Sequence, residues 1–248
     1  MIRRIAVVIP AADEQERIGR CLASVRVARS QLSRSHPGLS TEIIVVLDGC
    51  RDGTAAIAAA AGDVRTVPIA AGNVGAARRA GASAALAVPG SPGELWLAST
   101  DADSRVPPGW LTRMLGEAQL GAHLVLGTVL PDDDLGPAAR AEWLRRHHLR
   151  DGHPHVHGAS LGIRGDAYLA LGGWRPLASG EDVDLARRAR SAGHLRIART
   201  AAIPVLTSAR REGRAPRGFA GYLQALGTVA AGLGPGPAPG PAAAAARS

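Results

Sequence analysis

Short apolar runs alternate with helical stretches through the first part of the chain, and this alternation restricts the fold more than any other feature. The runs predict buried strands, and the stretches between them have the spacing of amphipathic or alanine-rich helices. The predicted strands are residues 5–9, 43–47, 64–69 and 95–98, and the predicted helices are residues 13–29, the stretch after Thr54, and residues 73–88. Strands that alternate with helices in this way predict a doubly wound α/β sheet.

Acidic residues follow three of these four strands. They are Asp13 and Glu14 after the first strand, residues 48–52 after the second, and residues 101–103 after the fourth. In such sheets the ligand binds beyond the carboxyl ends of the strands. Chance could place one acidic cluster at a strand end, but three at equivalent ends indicate a single polar site.

The second half of the chain is less regular. Its apolar spacing predicts strands at residues 124–130 and 159–163, a turn at 172–174 and a helix at 182–192. From residue 234 the chain is rich in Pro, Gly and Ala, a composition that predicts a disordered tail. The length of 248 residues suits one large domain.

Composition excludes several classes of protein. The basic residues are all arginine, and 29 of them against 21 acids give a net charge of +8, which suits a polyanionic partner such as a phosphorylated small molecule or an anionic membrane surface. Nucleic acid is disfavoured, because the arginines are scattered and only four Trp, two Tyr and one Phe could stack on bases. Neither the P-loop nor the dinucleotide-binding fingerprint occurs, which argues against an ordinary NTPase or dehydrogenase.

Three sequence features bear on cellular location. The chain has no apolar run of roughly 18 residues and no signal-peptide pattern at its start. Its two cysteines are too few for a disulfide framework. We therefore expect a cytoplasmic protein without a membrane-spanning helix.

Asp101 and Asp103 are separated by one residue directly after the fourth predicted strand. In an extended or turning segment, residues i and i+2 point the same way, so both carboxylates lie on one side. Paired carboxylates suit Mg²⁺ or Mn²⁺, which bridge to substrate phosphates. The alternative is a pair of solvated loop aspartates, because so short a motif is common.

Glu181 and Asp182 follow Gly180 and precede a predicted helix. A carboxylate at that place suits a general base that backbone amides position. The alternative is a helix N-terminus that Ser179 and the two acids stabilise. The residues by themselves leave both interpretations open.

Two further polar stretches bear on metal or phosphate binding. His153, His155 and His157 alternate along a short segment, which permits metal ligands and equally fits solvated loop histidines. Arg210 and Arg211 open a basic stretch rich in small residues. That stretch fits either a mobile loop that clamps a diphosphate or a solvated basic loop.

Taken in order, six stretches of the chain resemble the family 2 glycosyltransferases, which have the GT-A fold. The six stretches are VVIPAADEQERI, VVLDGCRDGT, GNVGAARRAG, ASTDADSRVPPGWL, HGASLGIRGDAYLALGGW and SGEDVDLARRARSAG. The resemblance covers about residues 3–217. It implies a Rossmann-like three-layer sandwich with a mostly parallel central sheet, a single domain over residues 1–233. The nucleotide-binding half would be about residues 1–104 and the acceptor half about residues 105–233.

The resemblance implies transfer of a sugar from a UDP- or GDP-sugar to an acceptor hydroxyl, with Mn²⁺ or Mg²⁺ as cofactor. It makes Asp182 the general base of an inverting reaction, and it makes Asp101 and Asp103 the pair that binds the metal. Glu181 is a further candidate catalytic residue, and His157, from the histidine spacing, is a further candidate metal ligand. Asp13, Glu14 and Asp48 match positions that hold the base and ribose. The full set of implied donor contacts is Pro10, Ala11, Asp13, Glu14, Asp48, Asn73, Arg78, Asp101, Ala102, Arg210 and Arg211. The acceptor, a homodimer and peripheral contact with a membrane stay open.

The chain departs from the family pattern at two positions, and other functions compete with the first interpretation. Leu47 replaces the first acid of a frequent paired-Asp signature, and Arg79 stands where Asn is common. The nearest alternative is a retaining transferase of the glucosyl-3-phosphoglycerate synthase kind, in which a histidine completes the metal shell. A nucleotidyltransferase is disfavoured because the turn AADEQER is acidic rather than glycine-rich. A non-catalytic binding protein is disfavoured because Asp101, Asp103 and Asp182 occur together.

Overall fold

The computed structural model describes residues 1–147 and 149–210, and its elements follow the predicted alternation. The strands are Arg4–Ala11 (β1), Ser40–Asp48 (β2), Val64–Ile69 (β3), Leu95–Ser99 (β4), Ser104–Arg105 (β5), Leu124–Leu126 (β6), Val129–Pro131 (β7), Leu161–Arg164 (β8), Ile197–Arg199 (β9) and Val205–Thr207 (β10). The α-helices are Ile18–Ser35 (α1), Thr54–Ala60 (α2), Val74–Leu86 (α3), Trp110–Gln119 (α4), Pro137–Arg146 (α5), Gly165–Ala170 (α6) and Glu181–Ser191 (α7).

Seven strands form the central sheet in the order β3-β2-β1-β4-β8-β6-β9. Strand β8 runs antiparallel to β4 and β6, and the other neighbouring pairs are parallel. A second sheet has three strands in the order β5-β10-β7. The predicted α/β fold with a mostly parallel central sheet is thereby confirmed.

The central strands are buried on both faces, which explains why they are continuous apolar runs in the sequence. In β1, Ile5, Val7 and Ile9 belong to the same apolar cluster as the buried residues of α1 and α4. Ala6 and Val8 point to the other face and belong to the cluster of α3, α6 and α7. Helices therefore cover both faces of the sheet and make three layers.

The first helix is displaced from residues 13–29, where the spacing predicted it. Asp13 has a φ of 46°, in the left-handed region that a helix does not use, so a turn precedes α1. At the other end, Ala28 and Leu32 continue the buried face of the helix. The helix therefore extends through residues that the polar composition of 30–41 assigned to a loop.

The single strand predicted at residues 124–130 is wrong, because the chain changes sheets in the middle of this run. The break lies at Gly127, whose N–H donates to the carbonyl of Ser160 at 2.8 Å. A Cβ at Gly127 would lie 2.2 Å from Ser160 Oγ, so only glycine permits this approach. Similarly, the strand predicted at 159–163 begins only at Leu161, because Gly158–Ser160 form a 3-10 turn.

Two further predictions concern membrane-spanning helices and the C-terminal tail. In residues 1–147 and 149–210 we find no helix with the length and apolar character needed to cross a membrane. The tail predicted from residue 234 lies outside the described residues, as does Arg211.

Candidate active site

The turn that follows β1 is tied to the turn that follows β2. The Asp13 carboxylate accepts the N–H of Arg51 at 2.6 Å, and the N–H of Glu14 donates to the Thr54 hydroxyl at 2.6 Å. These bonds leave the Glu14 side chain only 6% exposed at the carboxyl end of the sheet. Asp13 thus shapes the turn, and its contact with a nucleotide stays a prediction.

Asp48, the last residue of β2, holds the loop that leads into α3. Its carboxylate accepts three backbone N–H groups, from Ala71 at 2.7 Å, Gly72 at 2.9 Å and Asn73 at 2.9 Å. A carboxylate that accepts several backbone N–H groups is a strong organiser of a loop. The structure therefore gives Asp48 a local role in addition to the predicted contact with the base.

We expect Asp48→Ala to lower the free energy of unfolding by at least about 2 kcal/mol. The substitution removes three hydrogen bonds to a carboxylate that is 7% exposed, and a hydrogen bond to a charged group contributes about 1.5–3 kcal/mol. Urea denaturation followed by circular dichroism measures the loss. Glu16→Ala is the control, because that side chain is 76% exposed. Equal stability of the two variants would contradict the role given to Asp48.

Asn73 begins α3 and connects it to the segment before α7. Its side-chain oxygen accepts the N–H of Ala76 at 3.0 Å, as expected for an N-terminal cap. Its side-chain amide donates to the carbonyl of Pro176 at 3.0 Å. Both polar atoms of the side chain therefore have protein partners, and donor contact by Asn73 stays a prediction.

Arg78 in α3 is the residue that joins the two halves of the predicted site. Its side chain is 3% exposed. The Nε of Arg78 donates to Ser99 Oγ at 3.0 Å. Its Nη2 pairs with Asp101 at 2.5 Å, and its Nη1 pairs with Glu181. The guanidinium also lies 5.5 Å from the ring centroid of Trp174. Burial acts to lower the pKa of Arg78, but the carboxylates of Asp101 and Glu181 outweigh it and raise the pKa overall. A permanently charged group therefore links the end of β4 to the start of α7.

Asp182 lies beside this link, in the first turn of α7, and it is half-buried. Its Oδ2 accepts the N–H of Gly158 at 2.7 Å, and its Oδ1 accepts the N–H of Val183 at 2.8 Å. Burial raises the pKa of Asp182, against the opposing effects of Arg78 and of the two N–H donors. A carboxylate with a raised pKa is a better proton acceptor than a solvated one.

Gly158 is required where it stands, because a Cβ there would lie 2.4 Å from Nη2 of Arg78. Gly158, Ser99 and Trp174 were not among the predicted site residues. Gly158 and Trp174 do lie in the HGASLGIRGDAYLALGGW stretch that resembles the acceptor segment of the family. Ser99 lies in the ASTDADSRVPPGWL stretch, directly after the predicted strand at residues 95–98.

The acidic residues after β1 and β4 meet around one guanidinium. Arg210 Nη2 lies 2.7 Å from Glu14 Oε1 and 3.1 Å from Asp103 Oδ2. Burial and the neighbouring Asp101 raise the pKa of Asp103 to about 7, although Arg210 acts in the opposite direction. This arrangement agrees with the predicted convergence of Glu14, Asp101 and Asp103 at one edge of the sheet. These three residues form the acidic pocket.

The acidic pocket fits a divalent metal of the kind that the resemblance implies. Magnesium in proteins is commonly held by one or two carboxylates together with substrate phosphates, and Asp103 with a neighbouring acid meets that requirement. Across the described ranges 1–147 and 149–210, no three His, Cys, Asp or Glu side chains are grouped so that they could hold one ion. The structure therefore does not gather His157 with Asp101 and Asp103 as a set of three ligands.

His157 instead belongs to a row of rings. Its ring centroid lies 6.1 Å from that of His155, which in turn lies 4.9 Å from that of His147, and His147 stacks on Trp143 at 4.0 Å. Burial lowers the pKa of His157 to about 3, so its ring is neutral near pH 7. A neutral imidazole is the form that binds metals, but this placement leaves ligation by His157 a prediction.

The remaining predicted donor contacts are main-chain positions near the acidic pocket. Pro10 and Ala11 end β1 and pair with Val46 and Leu47 of β2. Ala102, which is 3% exposed, lies between the two aspartates. These positions agree with a backbone contribution to a site at this edge, and contact with a donor stays a prediction for each.

Comparison with known proteins gives a family and a set of related folds. The profile of glycosyl transferase family 2 matches residues 6–158. Comparison with curated proteins gives no match.

Solved structures resemble this chain over most of its length. The crystal structure of S. aureus TarS, residues 1–349, has a TM-score of 0.58 at 13% identity, over 92% of this chain and 65% of that chain. The M. tuberculosis glucosyl-3-phosphoglycerate synthase has a TM-score of 0.58 at 20% identity, over 94% of this chain and 82% of that chain. The same synthase in complex with Mn²⁺, UDP and glucosyl-3-phosphoglycerate has a TM-score of 0.57 at 19% identity, over 94% and 81%. At these identities the similarity is one of fold.

Proposed function

The chain belongs to glycosyl transferase family 2, and from that premise we propose that it transfers a sugar from a nucleotide-diphosphate donor to an acceptor hydroxyl with inversion at the anomeric carbon. The observation that carries the proposal is the Arg78 link. Through it, Asp101 of the acidic pocket and Glu181 of α7 share one buried guanidinium. Asp182, which follows Glu181, therefore lies at the same edge of the sheet as the acidic pocket.

In the proposed reaction, Asp182 takes the proton of the acceptor. The acceptor oxygen attacks the anomeric carbon, the bond from that carbon to the diphosphate oxygen breaks, and the electron pair leaves with the diphosphate. The acceptor proton passes to the Asp182 carboxylate, which the N–H groups of Gly158 and Val183 hold in a fixed orientation. Glu181 is a positioning residue in this scheme, because its carboxylate is committed to Arg78.

The acidic pocket acts on the leaving group, which is the nucleotide diphosphate. When bound, Mn²⁺ or Mg²⁺ supplies positive charge that stabilises the departing diphosphate. Asp103, with Asp101 as its neighbour, would hold that ion. Arg210 lies beside Asp103 and is well placed to contact the diphosphate, since guanidinium groups match phosphate oxygens. Arg211 was predicted to share this role and lies outside the described residues.

The donor base is proposed by analogy and needs a direct test. Because a fold relative is described with UDP and Mn²⁺, a UDP-sugar is the first donor to try and a GDP-sugar the second. A ligand that binds the folded protein raises its melting temperature by mass action, so thermal shifts with UDP-, GDP- and dTDP-sugars identify the base. Cytoplasmic location and a homodimer remain further proposals.

The anomeric configuration of the product tests the reaction type. Nuclear magnetic resonance of the newly formed sugar, recorded early in turnover, distinguishes inversion from retention. Inversion supports the base role of Asp182. Retention would instead favour the alternative of a retaining transferase like the synthase in the fold comparison.

We expect Asp103→Asn to abolish the metal-dependent part of donor affinity. The diphosphate is repelled by the carboxylates of the acidic pocket unless a cation reverses the balance. Isothermal calorimetry of donor binding with and without Mn²⁺ measures the effect. Asp134→Asn, at an exposed position, is the control and should behave like the wild type. Equal donor affinity of the wild type with and without Mn²⁺ would show that this assignment is wrong.

A further inference from the structure

One guanidinium neutralises two acids that come from different turns. Arg210 contacts both Glu14, which is 6% exposed on its side chain, and Asp103, which is 13% exposed. Asp101, the third acid of the pocket, is already paired with Arg78. Arg210 is therefore the cation that directly contacts both Glu14 and Asp103 among the ion pairs formed by the described residues.

Glu14 has one carboxylate oxygen to which no described residue donates a hydrogen bond. Its Oε1 contacts Arg210, but its Oε2 is buried and has no hydrogen-bond partner within residues 1–147 and 149–210. Buried carboxylate oxygens are normally satisfied, and an exception requires an explanation such as an ion. The resemblance implied that Glu14 contacts the base or ribose, whereas its position next to Asp103 points to a cation.

We propose that Glu14 joins Asp103 as a ligand of the divalent cation of the acidic pocket, and that Arg210 occupies this position with its guanidinium until a metal ion displaces it. Carboxylate oxygens are the ligands that Mg²⁺ and Mn²⁺ prefer, and two of them come here from adjacent turns. Since Arg210 and the metal compete for the same oxygens, the metal binds weakly while Arg210 remains in place.

The main chain around Arg210 allows its side chain to change partners without moving the strand. The N–H of Ala209 donates to Asp132 Oδ1 at 3.0 Å, and the N–H of Arg210 donates to Ser208 Oγ at 3.3 Å. These bonds anchor the backbone directly after β10. Rotation of the arginine side chain alone would free Glu14 and Asp103.

This arrangement makes binding of metal and donor mutually dependent, a consequence that rests on the proposed function. A diphosphate gives the displaced guanidinium a new anionic partner, so donor binding favours release of Arg210 from the acids. By linkage, the metal then raises donor affinity by the same factor as the donor raises metal affinity.

Titration of the donor-free protein with MnCl₂ tests the competition. The electron paramagnetic resonance signal of free Mn²⁺ gives the dissociation constant for the wild type, R210Q, the double variant E14Q/R210Q and R145Q. R145Q is the matched control, since Arg145 loses the same charge but pairs with Glu142 on the surface. Circular dichroism checks that each variant is folded, and R210M replaces R210Q if the latter is not.

We expect R210Q to bind Mn²⁺ at least about tenfold more tightly than the wild type, because a competing unit charge within about 4 Å has been removed. The double variant should lose that gain, and R145Q should match the wild type. No gain in R210Q, an equal gain in R145Q, or a gain that survives E14Q each overturns the proposal. If R210Q shows the gain but no nucleotide sugar binds any variant, the cation site stands and the proposed function fails.

Discussion

Replacing Arg78 with methionine is expected to lower the free energy of unfolding by about 3–5 kcal/mol, because one partner of a buried ion pair is removed. Arg78 is 2% exposed and Glu181 is 4% exposed, so the carboxylate left behind cannot recover its hydration. Ser99 also loses its contact with Nε of the arginine. Methionine keeps much of the side-chain volume, so the effect measures the lost charge rather than a cavity.

Denaturation by urea, followed by circular dichroism, measures this loss. Arg145→Met is the matched control, because Arg145 pairs with Glu142 at 2.7 Å but is 69% exposed. Exposed pairs contribute about 0–1 kcal/mol, so the control should remain close to the wild type. Adding Glu181→Gln to Arg78→Met removes the uncompensated charge and should restore part of the stability. Similar losses for Arg78→Met and Arg145→Met would show that the buried link does not stabilise the fold.

The middle of the central sheet could be predicted from the sequence because its strands are buried on both faces. The apolar run predicted as a strand at residues 43–47 lies within β2, and residues 43–46 are all buried there. The spacing of apolar residues does not reveal a local backbone conformation that departs from the regular pattern. Asp13 adopts a φ of 46°, and the first helix therefore begins later than predicted. The N–H of Gly127 donates to the carbonyl of Ser160, and this contact interrupts the strand predicted at residues 124–130.

The acidic pocket could be predicted for a related reason, which is that parallel strands place their carboxyl ends at one edge of the sheet. Glu14 and Asp103 do come together there. The partner of each acid could not be predicted. Arg78 and Glu181 are 103 positions apart, and no local pattern reports a pairing over that separation. The resemblance brought Arg78 forward as a donor contact, whereas the structure places its guanidinium among protein groups.

The second large effect is expected for Asp182→Asn, which should lower kcat by about 10²–10⁴-fold, the usual contribution of a positioned general base. Asparagine has a single side-chain oxygen, so it can accept only one of the two N–H groups that Asp182 binds through separate oxygens, and it cannot take a proton from the acceptor. Donor affinity should be unchanged, because Asp182 is not assigned to the nucleotide. Asp166→Asn is the control, since Asp166 also lies in the first turn of a helix. Asp166 is next to Gly93, which precedes β4, and it therefore lies at the opposite edge of the sheet.

The pH dependence of kcat separates a base from a residue that only holds the turn. Asp182 acts as a base only when it is deprotonated, so kcat should fall as the pH is lowered through its pKa, which burial raises above the ordinary value. Asp182→Asn should remove this acidic limb along with the activity, whereas a purely structural role would leave the limb in the residual rate. A near-normal kcat in Asp182→Asn, together with intact donor affinity and a product of retained configuration, would contradict the inverting mechanism. It would support a retaining mechanism, in which no strong base is required.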